Sequence, residues 1–91
     1  MSTKEKVREK VREKEAISFN NEIIVYNDDV NTFDFVIESL VDVCKHSMLQ
    51  AEQCTLIVHN NGKCSVKENS FNKLRPLCEA LLDRGLSAVI E

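Results

Sequence analysis

The sequence predicts an α+β domain in which a small three-stranded antiparallel sheet carries three helices on one face, in the order β-α-α-β-α-β. Two observations lead to this prediction. Three short runs of β-branched or alternating apolar residues are bounded by turn residues, as strands are. Three longer segments repeat apolar residues every three to four positions, which is the period of an amphipathic helix. A chain of 91 residues is long enough for one such domain and too short for two.

Residues 1–18 are predicted to be a flexible charged N-terminal arm, and residues 19–91 the folded core domain. The arm repeats the tetrapeptide Lys-Val-Arg-Glu, in which only Val7 and Val11 could pack against another surface. Residues 1–16 hold six cationic and four acidic residues, whereas residues 17–91 hold six cationic and eleven acidic residues. The arm is therefore either solvated or engages a partner. The acidic core domain argues against nucleic acid as that partner.

The first strand and first helix are predicted from a strand–loop–helix pattern. Ile23 to Tyr26 is a β-branched and aromatic run that stops at the polar residues 27–29, whose side chains favour turns. Asn31-Thr32 then offers an N-cap for a helix at about residues 32–46. His46 falls in the predicted last turn, where a cation stabilises the helix dipole, so it is predicted to be a helix-terminal residue.

The remaining elements follow from caps and stop signals. The capping-box pattern at Ser47 predicts the start of a second helix, which runs to about Asn60 and stops at Gly62. Residues 63–67 alternate polar and apolar side chains and predict a half-buried strand. A third helix follows Ser70, where Pro76 predicts either a later start or a kink. Gly85 is predicted to end this helix, and residues 86–90 to form the last strand.

Cysteine usage and hydropathy indicate the class of protein. The absence of a Cys-x-x-Cys pair argues against a zinc site, and the absence of a secretory context argues against a disulfide framework. Buried reduced thiols are therefore predicted at Cys44, Cys54, Cys64 and Cys78. No apolar run approaches the roughly 20 residues that span a bilayer, and the N-terminus lacks the apolar segment of a signal peptide. The sequence therefore predicts a cytoplasmic protein without a membrane partner, a metal or a cofactor.

A binding pocket is favoured over an active site. His59 and the cysteines could supply a base and a nucleophile, but no local hydrolase signature accompanies them. An ammonium group has three donors and no acceptor, so carboxylate, amide and imidazole acceptors satisfy it. Such groups are present at Asn27, Asp28 and His59, provided that the loop and the second helix converge. The plainer interpretation, a polar turn and a helix-terminal histidine, stays open on these residues alone.

Three motifs recur together in one known family: Val25-Tyr26-Asn27-Asp28-Asp29, Phe35-Val36, and Val58-His59 followed by Gly62-Lys63. In these motifs the chain resembles the ClpS family over about residues 22–91. ClpS proteins are adaptors that hand proteins bearing certain N-terminal residues to an AAA+ Clp unfoldase-protease. The resemblance implies a non-enzymatic adaptor. Its partners would be a ClpA- or ClpC-like unfoldase and substrate proteins that begin with a bulky hydrophobic residue.

The resemblance also implies the roles of individual residues. Asn27, Asp28 and His59 would bind the α-amino group and first peptide unit of a substrate. The pocket for its first side chain would be formed by Val30, Asn31, Phe33, Thr55, Val58 and Leu86. Phe33 and Thr55 stand where the family commonly has methionine, and a rigid Phe would narrow or re-aim the pocket because Met adapts its shape more readily. Exposed charges near the start of the third helix, such as Arg75, are candidate unfoldase contacts.

A second resemblance gives an alternative function. Residues 77–91 are similar to the C-terminal domain of the bacterial ribosomal stalk protein, which has a comparable helix, glycine stop and last strand. That domain lacks the Asn-Asp-Asp loop and His59. The alternative is therefore a protein-interaction domain that docks a partner on a helical face and has no amino-acid pocket.

Overall fold

The computed structural model describes residues 21–91, and the predicted arm of residues 1–18 lies outside them. The element order is the predicted one: β1 (Asn21–Tyr26), α1 (Phe33–Cys44), α2 (Met48–Asn61), β2 (Lys63–Asn69), α3 (Phe71–Asp83) and β3 (Ser87–Ile90). The strands form one sheet in the order β2-β1-β3, and both pairings are antiparallel. The predicted α+β fold with a three-stranded antiparallel sheet is therefore confirmed.

The most apolar strand, β1, takes the centre of the sheet, where it is hydrogen-bonded on both sides. Ile23 and Val25 point to the same face by strand alternation, and both are buried in the core with side chains from all three helices. The register with β2 shifts between Ile23 and Ile24, which leaves Val66 as an extra residue in a bulge. Val66 is buried in the same core. The helices thus cover one face of the sheet.

Helix starts follow local hydrogen-bonding rules. The Thr32 hydroxyl accepts a 3.1 Å hydrogen bond from the Phe35 N–H and caps α1, as the sequence predicts. The Ser47 hydroxyl accepts a 3.1 Å bond from the Gln50 N–H and caps α2. These two caps set where the loop after β1 ends and where α2 turns back along α1. None of the helices of residues 21–91 combines the length and the apolar character that crossing a bilayer requires.

The end of α1 differs from the prediction. The helix stops at Cys44, and Lys45 adopts the left-handed conformation with φ 61°. The chain then turns inward, so that His46 is buried and its Nε2 lies 2.7 Å from the Val66 carbonyl oxygen. Because a carbonyl only accepts, this ring nitrogen donates. His46 therefore binds the bulge of β2 and does not end the helix, so its predicted role is wrong.

The third helix begins directly after Ser70, so the expected later start at Pro76 is not observed. Pro76 is exposed in the second turn, where its missing N–H leaves one helical hydrogen bond unmade. At the other end Gly85, with φ 93°, confirms the predicted stop. The Gly85 N–H bonds the Leu82 carbonyl at 2.9 Å, and the Leu86 N–H bonds the Leu81 carbonyl at 3.1 Å. These two bonds form a Schellman motif, which turns the chain sharply into β3.

Lys45→Gly is expected to raise the free energy of unfolding by about 0.5–1 kcal/mol, because glycine adopts positive φ without the steric cost that a Cβ imposes. Urea unfolding measures the change. Gly85→Ala places a Cβ at φ 93° and is the reverse control, with an expected loss of about 1 kcal/mol. A stability loss for Lys45→Gly would mean that the lysine side chain contributes more than its backbone conformation costs.

Candidate functional site

A cavity of about 340 Å³ opens where the loop after β1 meets the start of α1 and the end of α2. Its interior includes the buried side chains of Val36, Thr55 and Val58, whereas Phe33 and His59 are exposed at its rim. The complete lining is Asn27, Asp28, Asp29, Asn31, Phe33, Val36, Thr55, Val58 and His59. The loop and α2 therefore converge, as a binding site at Asn27, Asp28 and His59 requires.

Seven of the nine predicted site residues line this cavity, and Val30 and Leu86 do not. Val30 is 85% exposed at the outside of the loop, and Leu86 is 4% exposed within the core. Their contact with a ligand stays a prediction. Val36 lines the cavity but was not among the predicted site residues. Its signal was available in the sequence, because Val36 lies three residues after Phe33 and shares its helix face.

The Asp28 carboxylate organises the loop. One oxygen accepts hydrogen bonds from the Val30 N–H at 3.0 Å and the Asn31 N–H at 2.9 Å. The other oxygen accepts a 2.9 Å bond from the Asn31 side-chain amide. The backbone bond from Asn31 is the main cause that lowers the Asp28 pKa below its ordinary value of 3.8. At neutral pH this group is therefore a fixed anion at the cavity.

The loop is also anchored at two further points. The Asn31 side-chain amide donates a 2.8 Å hydrogen bond to the Gly85 carbonyl, which ties the loop to the turn between α3 and β3. At the start of the loop, the Asn27 N–H donates a 2.9 Å bond to the Gly62 carbonyl at the end of α2. Because both ends are held by backbone partners, the side chains of Asn27 and Asp28 are presented from a defined framework.

Two departures from the resembled pattern shape the cavity wall. The rings of Phe33 and His59 meet edge to face, with centroids 6.5 Å apart and planes at 86°. This geometry is favourable for an aromatic pair and fixes Phe33 beside the imidazole. Thr55 is buried, and its hydroxyl donates a 2.7 Å hydrogen bond to the Ala51 carbonyl. Since that hydroxyl is satisfied within its own helix, Thr55 acts in the wall as a small side chain.

The electrostatics of the cavity suit a cation. Asp28 and Asp29 both line it, and none of its lining residues within the described 21–91 is Lys or Arg. Asn27 and His59 add an amide oxygen and an imidazole nitrogen as acceptors. These features match a ligand that carries a positively charged group with several N–H donors next to an apolar side chain.

The cysteines do not supply a nucleophile at this site. All four are free; Cys44 and Cys78 are buried, and Cys54 and Cys64 are half-buried. None of them lines the cavity. Burial raises the pKa of the Cys44 thiol to about 11 and that of the Cys64 thiol to about 11. Since the thiolate is the reactive form, these groups are inert at neutral pH.

A family model and two curated relatives all match this chain to the same family. Residues 17–89 match the family described as ATP-dependent Clp protease adaptor protein ClpS. The ClpS adapter of Campylobacter jejuni is 35% identical over 75 residues, which cover 76% of this chain and 78% of that protein. The ClpS adapter of Desulforapulum autotrophicum is 32% identical over 62 residues, which cover 68% of this chain and 60% of that protein.

The fold also matches a solved structure. Agrobacterium tumefaciens ClpS2 bound to L-phenylalaninamide is similar with a TM-score of 0.71 and 21% identity, over 78% of this chain and 93% of that chain. At this identity the likeness shows the shared fold.

Proposed function

Since the chain belongs to the ClpS family of ATP-dependent Clp protease adaptors, a family of adaptors and not of enzymes, we propose that it binds proteins with bulky hydrophobic N-terminal residues and delivers them to an AAA+ Clp unfoldase-protease. The observation that carries this proposal is the cavity that joins Asn27, Asp28 and His59 to an apolar wall. The stalk-like alternative without an amino-acid pocket is not favoured by any of these observations.

The polar residues of the cavity recognise the α-amino group. A free N-terminus is an ammonium ion with three donors, and the Asp28 carboxylate supplies the opposite charge. Asn27 and His59 accept hydrogen bonds from the same ammonium group or bond the first peptide unit. Acetylation removes both the charge and two donors, so only a free N-terminus satisfies this arrangement.

The apolar part of the cavity selects the first side chain. Val36, Val58 and Phe33 offer apolar surface, and a volume of about 340 Å³ lies within the range of ligand pockets. The similar ClpS2 structure holds L-phenylalaninamide, a molecule with a free α-amino group and a bulky aromatic side chain, which supports the same ligand class here. Val30 and Leu86 complete the proposed set.

The partner of the adaptor is proposed to be a ClpA- or ClpC-like unfoldase. Arg75 on α3 is a candidate contact because it is 67% exposed, and its ion pair with Glu79 at 3.9 Å is too solvated to hold it. The acidic balance of residues 17–91 suits neither nucleic acid nor an anionic membrane surface, so neither is proposed as a partner. The cytoplasmic location stays a prediction.

Fluorescence anisotropy with labelled peptides tests the proposed recognition. Peptides that begin with Leu, Phe or Trp are expected to bind, and N-acetylated copies to bind at least about 30-fold more weakly, because the charged partner of Asp28 and two hydrogen-bond donors are lost. Peptides that begin with Ala or Arg are the matched controls for the apolar cavity. Equal binding of free and acetylated peptides would contradict amine recognition.

A degradation assay tests whether the chain delivers a bound protein to the unfoldase-protease. A stable reporter protein that begins with Phe is expected to be degraded faster by a Clp unfoldase-protease when this chain is added. A reporter that begins with Ala is the control and should not respond. Peptide binding without any acceleration would retain the pocket and overturn the adaptor role.

A further inference from the structure

A second cavity of about 410 Å³ lies between α1 and α2, away from the loop. It is lined by Asp34, Ile37, Glu38, Val41, Asp42, Met48 and Glu52, and is called the α1–α2 groove below. Nothing in the recognition of an α-amino group uses these residues.

The chemistry of the α1–α2 groove is apolar at its base and anionic around it. Ile37 is buried, Val41 is half-buried and Met48 is 59% exposed, so the groove offers apolar surface to a ligand. Four of the seven lining residues are carboxylates: Asp34, Glu38, Asp42 and Glu52. No lining residue in the described part of the chain is a cation, but Asp42 pairs with Arg84 at 3.0 Å, which leaves Asp34, Glu38 and Glu52 for a cationic ligand. A ligand that combines apolar side chains with Lys or Arg is complementary to this surface in both respects.

The groove shares no residue with the cavity at Asn27, Asp28 and His59, called the N-terminus pocket below, but lies within a few residues of it along both helices. On α1, Phe33 lines the pocket and the next residue, Asp34, lines the groove. On α2, the groove residue Glu52 lies about one helical turn before the pocket residue Thr55. Along α1 the groove spans residues 34–42, which corresponds to about 12 Å at the helical rise of 1.5 Å per residue. An extended peptide covers that length with about four residues. A polypeptide whose first residue fills the pocket can therefore reach the groove within its next several residues.

We propose that the α1–α2 groove binds the same polypeptide a few residues after its N-terminus, with a preference for segments that alternate Lys or Arg with apolar side chains. This inference rests on the proposed function, because the first residue must occupy the pocket. The apolar side chains contact Ile37, Val41 and Met48, and the cations face the surrounding carboxylates. The groove thus adds a second criterion to substrate choice, beyond the identity of the first residue.

Three labelled peptides of equal length test the inference. Each begins with Phe-Ser and continues with Lys-Leu-Lys-Leu-Lys, Gln-Leu-Gln-Leu-Gln or Glu-Leu-Glu-Leu-Glu. The Lys peptide is expected to bind roughly fivefold more tightly than the Gln peptide at low salt, and the Glu peptide more weakly, as several exposed ion pairs allow. The difference should shrink above about 0.1 M salt because the pairs are exposed.

The double variant Glu38→Gln with Glu52→Gln tests whether the preference for the Lys peptide arises in the groove. Asp42 is left intact because it pairs with Arg84 at 3.0 Å, and Asp34 because it stabilises the first turn of α1. The double variant is expected to abolish the Lys preference while it still binds the Gln peptide. The control, Glu68→Gln with Glu79→Gln, removes the same charge from β2 and α3, outside both cavities, and should keep the preference.

The other outcomes separate the two proposals. If all three peptides bind the unaltered protein equally, or if the Lys preference survives in the groove variant, the groove proposal is overturned and the pocket is retained. If an N-acetylated Lys peptide binds as tightly as the free one while an N-acetylated Gln peptide does not bind, the groove acts without the pocket and the groove proposal fails. If no free peptide binds, the proposed function itself is overturned.

Discussion

Asp28→Ala is expected to weaken the binding of peptides with a free Leu or Phe N-terminus by at least about 100-fold, because it removes one member of a hydrogen-bonded charge pair in the binding site. Two losses combine in this variant. The carboxylate that faces the ammonium ion disappears, and the loop loses three hydrogen bonds, from the Val30 N–H, the Asn31 N–H and the Asn31 amide. Fluorescence anisotropy measures the affinity, and circular dichroism verifies that the variant is folded.

Two further variants separate these causes. Asp29→Ala removes a neighbouring carboxylate from the same cavity and leaves the hydrogen bonds of Asp28 in place, so a loss of only a few-fold is expected. Asn31→Ala keeps the Asp28 charge but removes the amide that ties it to Gly85. If Asn31→Ala were as damaging as Asp28→Ala, loop order rather than charge would control affinity. A loss of less than twofold for Asp28→Ala would contradict its assignment as the amine ligand.

Leu81→Ala is expected to lower the free energy of unfolding by about 3–5 kcal/mol, because it removes a fully buried side chain and leaves a cavity that the core fills only partly. Leu81 is 0% exposed on α3 and belongs to the core cluster shared with β1. The free energy of unfolding of a small domain is about 5–15 kcal/mol, so the expected loss is a large fraction of the total. Urea unfolding monitored by circular dichroism gives the difference.

Leu82→Ala is the matched control for this prediction. It makes the same chemical change one residue later, at a side chain that is 50% exposed. The expected loss is below about 1 kcal/mol, since little apolar surface leaves the core. Equal losses for the two variants would show that the outer face of α3 is covered by something other than solvent.

The sequence predicted those features that depend on neighbours along the chain. Thr32 and Ser47 cap helices because each hydroxyl bonds the N–H three residues later, which is a short-range contact, whereas Ser70 precedes α3 without such a bond. Gly85 ends α3 because only a residue that tolerates positive φ fits there. Element order and type follow from these signals and from the apolar periodicity.

Features that depend on distant contacts were not accessible in this way. His46 lies in a local context that suits a helix end, but its ring bonds Val66, twenty residues away and at a bulge that no short pattern indicates. The cavity itself depends on α2 packing back against the loop, which periodicity does not specify. The polar residues Asn27, Asp28 and His59 were predicted from their chemistry and the family resemblance. That Leu86 lies in the core without lining the cavity required the structure.

The hydrogen bond between Asn31 and Gly85 has a consequence for protein synthesis. The two residues are 54 positions apart, yet the same Asn31 amide also holds the Asp28 carboxylate. While the chain emerges from the ribosome, the loop after β1 is made early but lacks its anchor until α3 and the turn that follows it have been made. Pairings of such large sequence separation form late, after most of the entropy of loop closure has been overcome. In a nascent chain the loop therefore gains this anchor only when the turn before the last strand has been made.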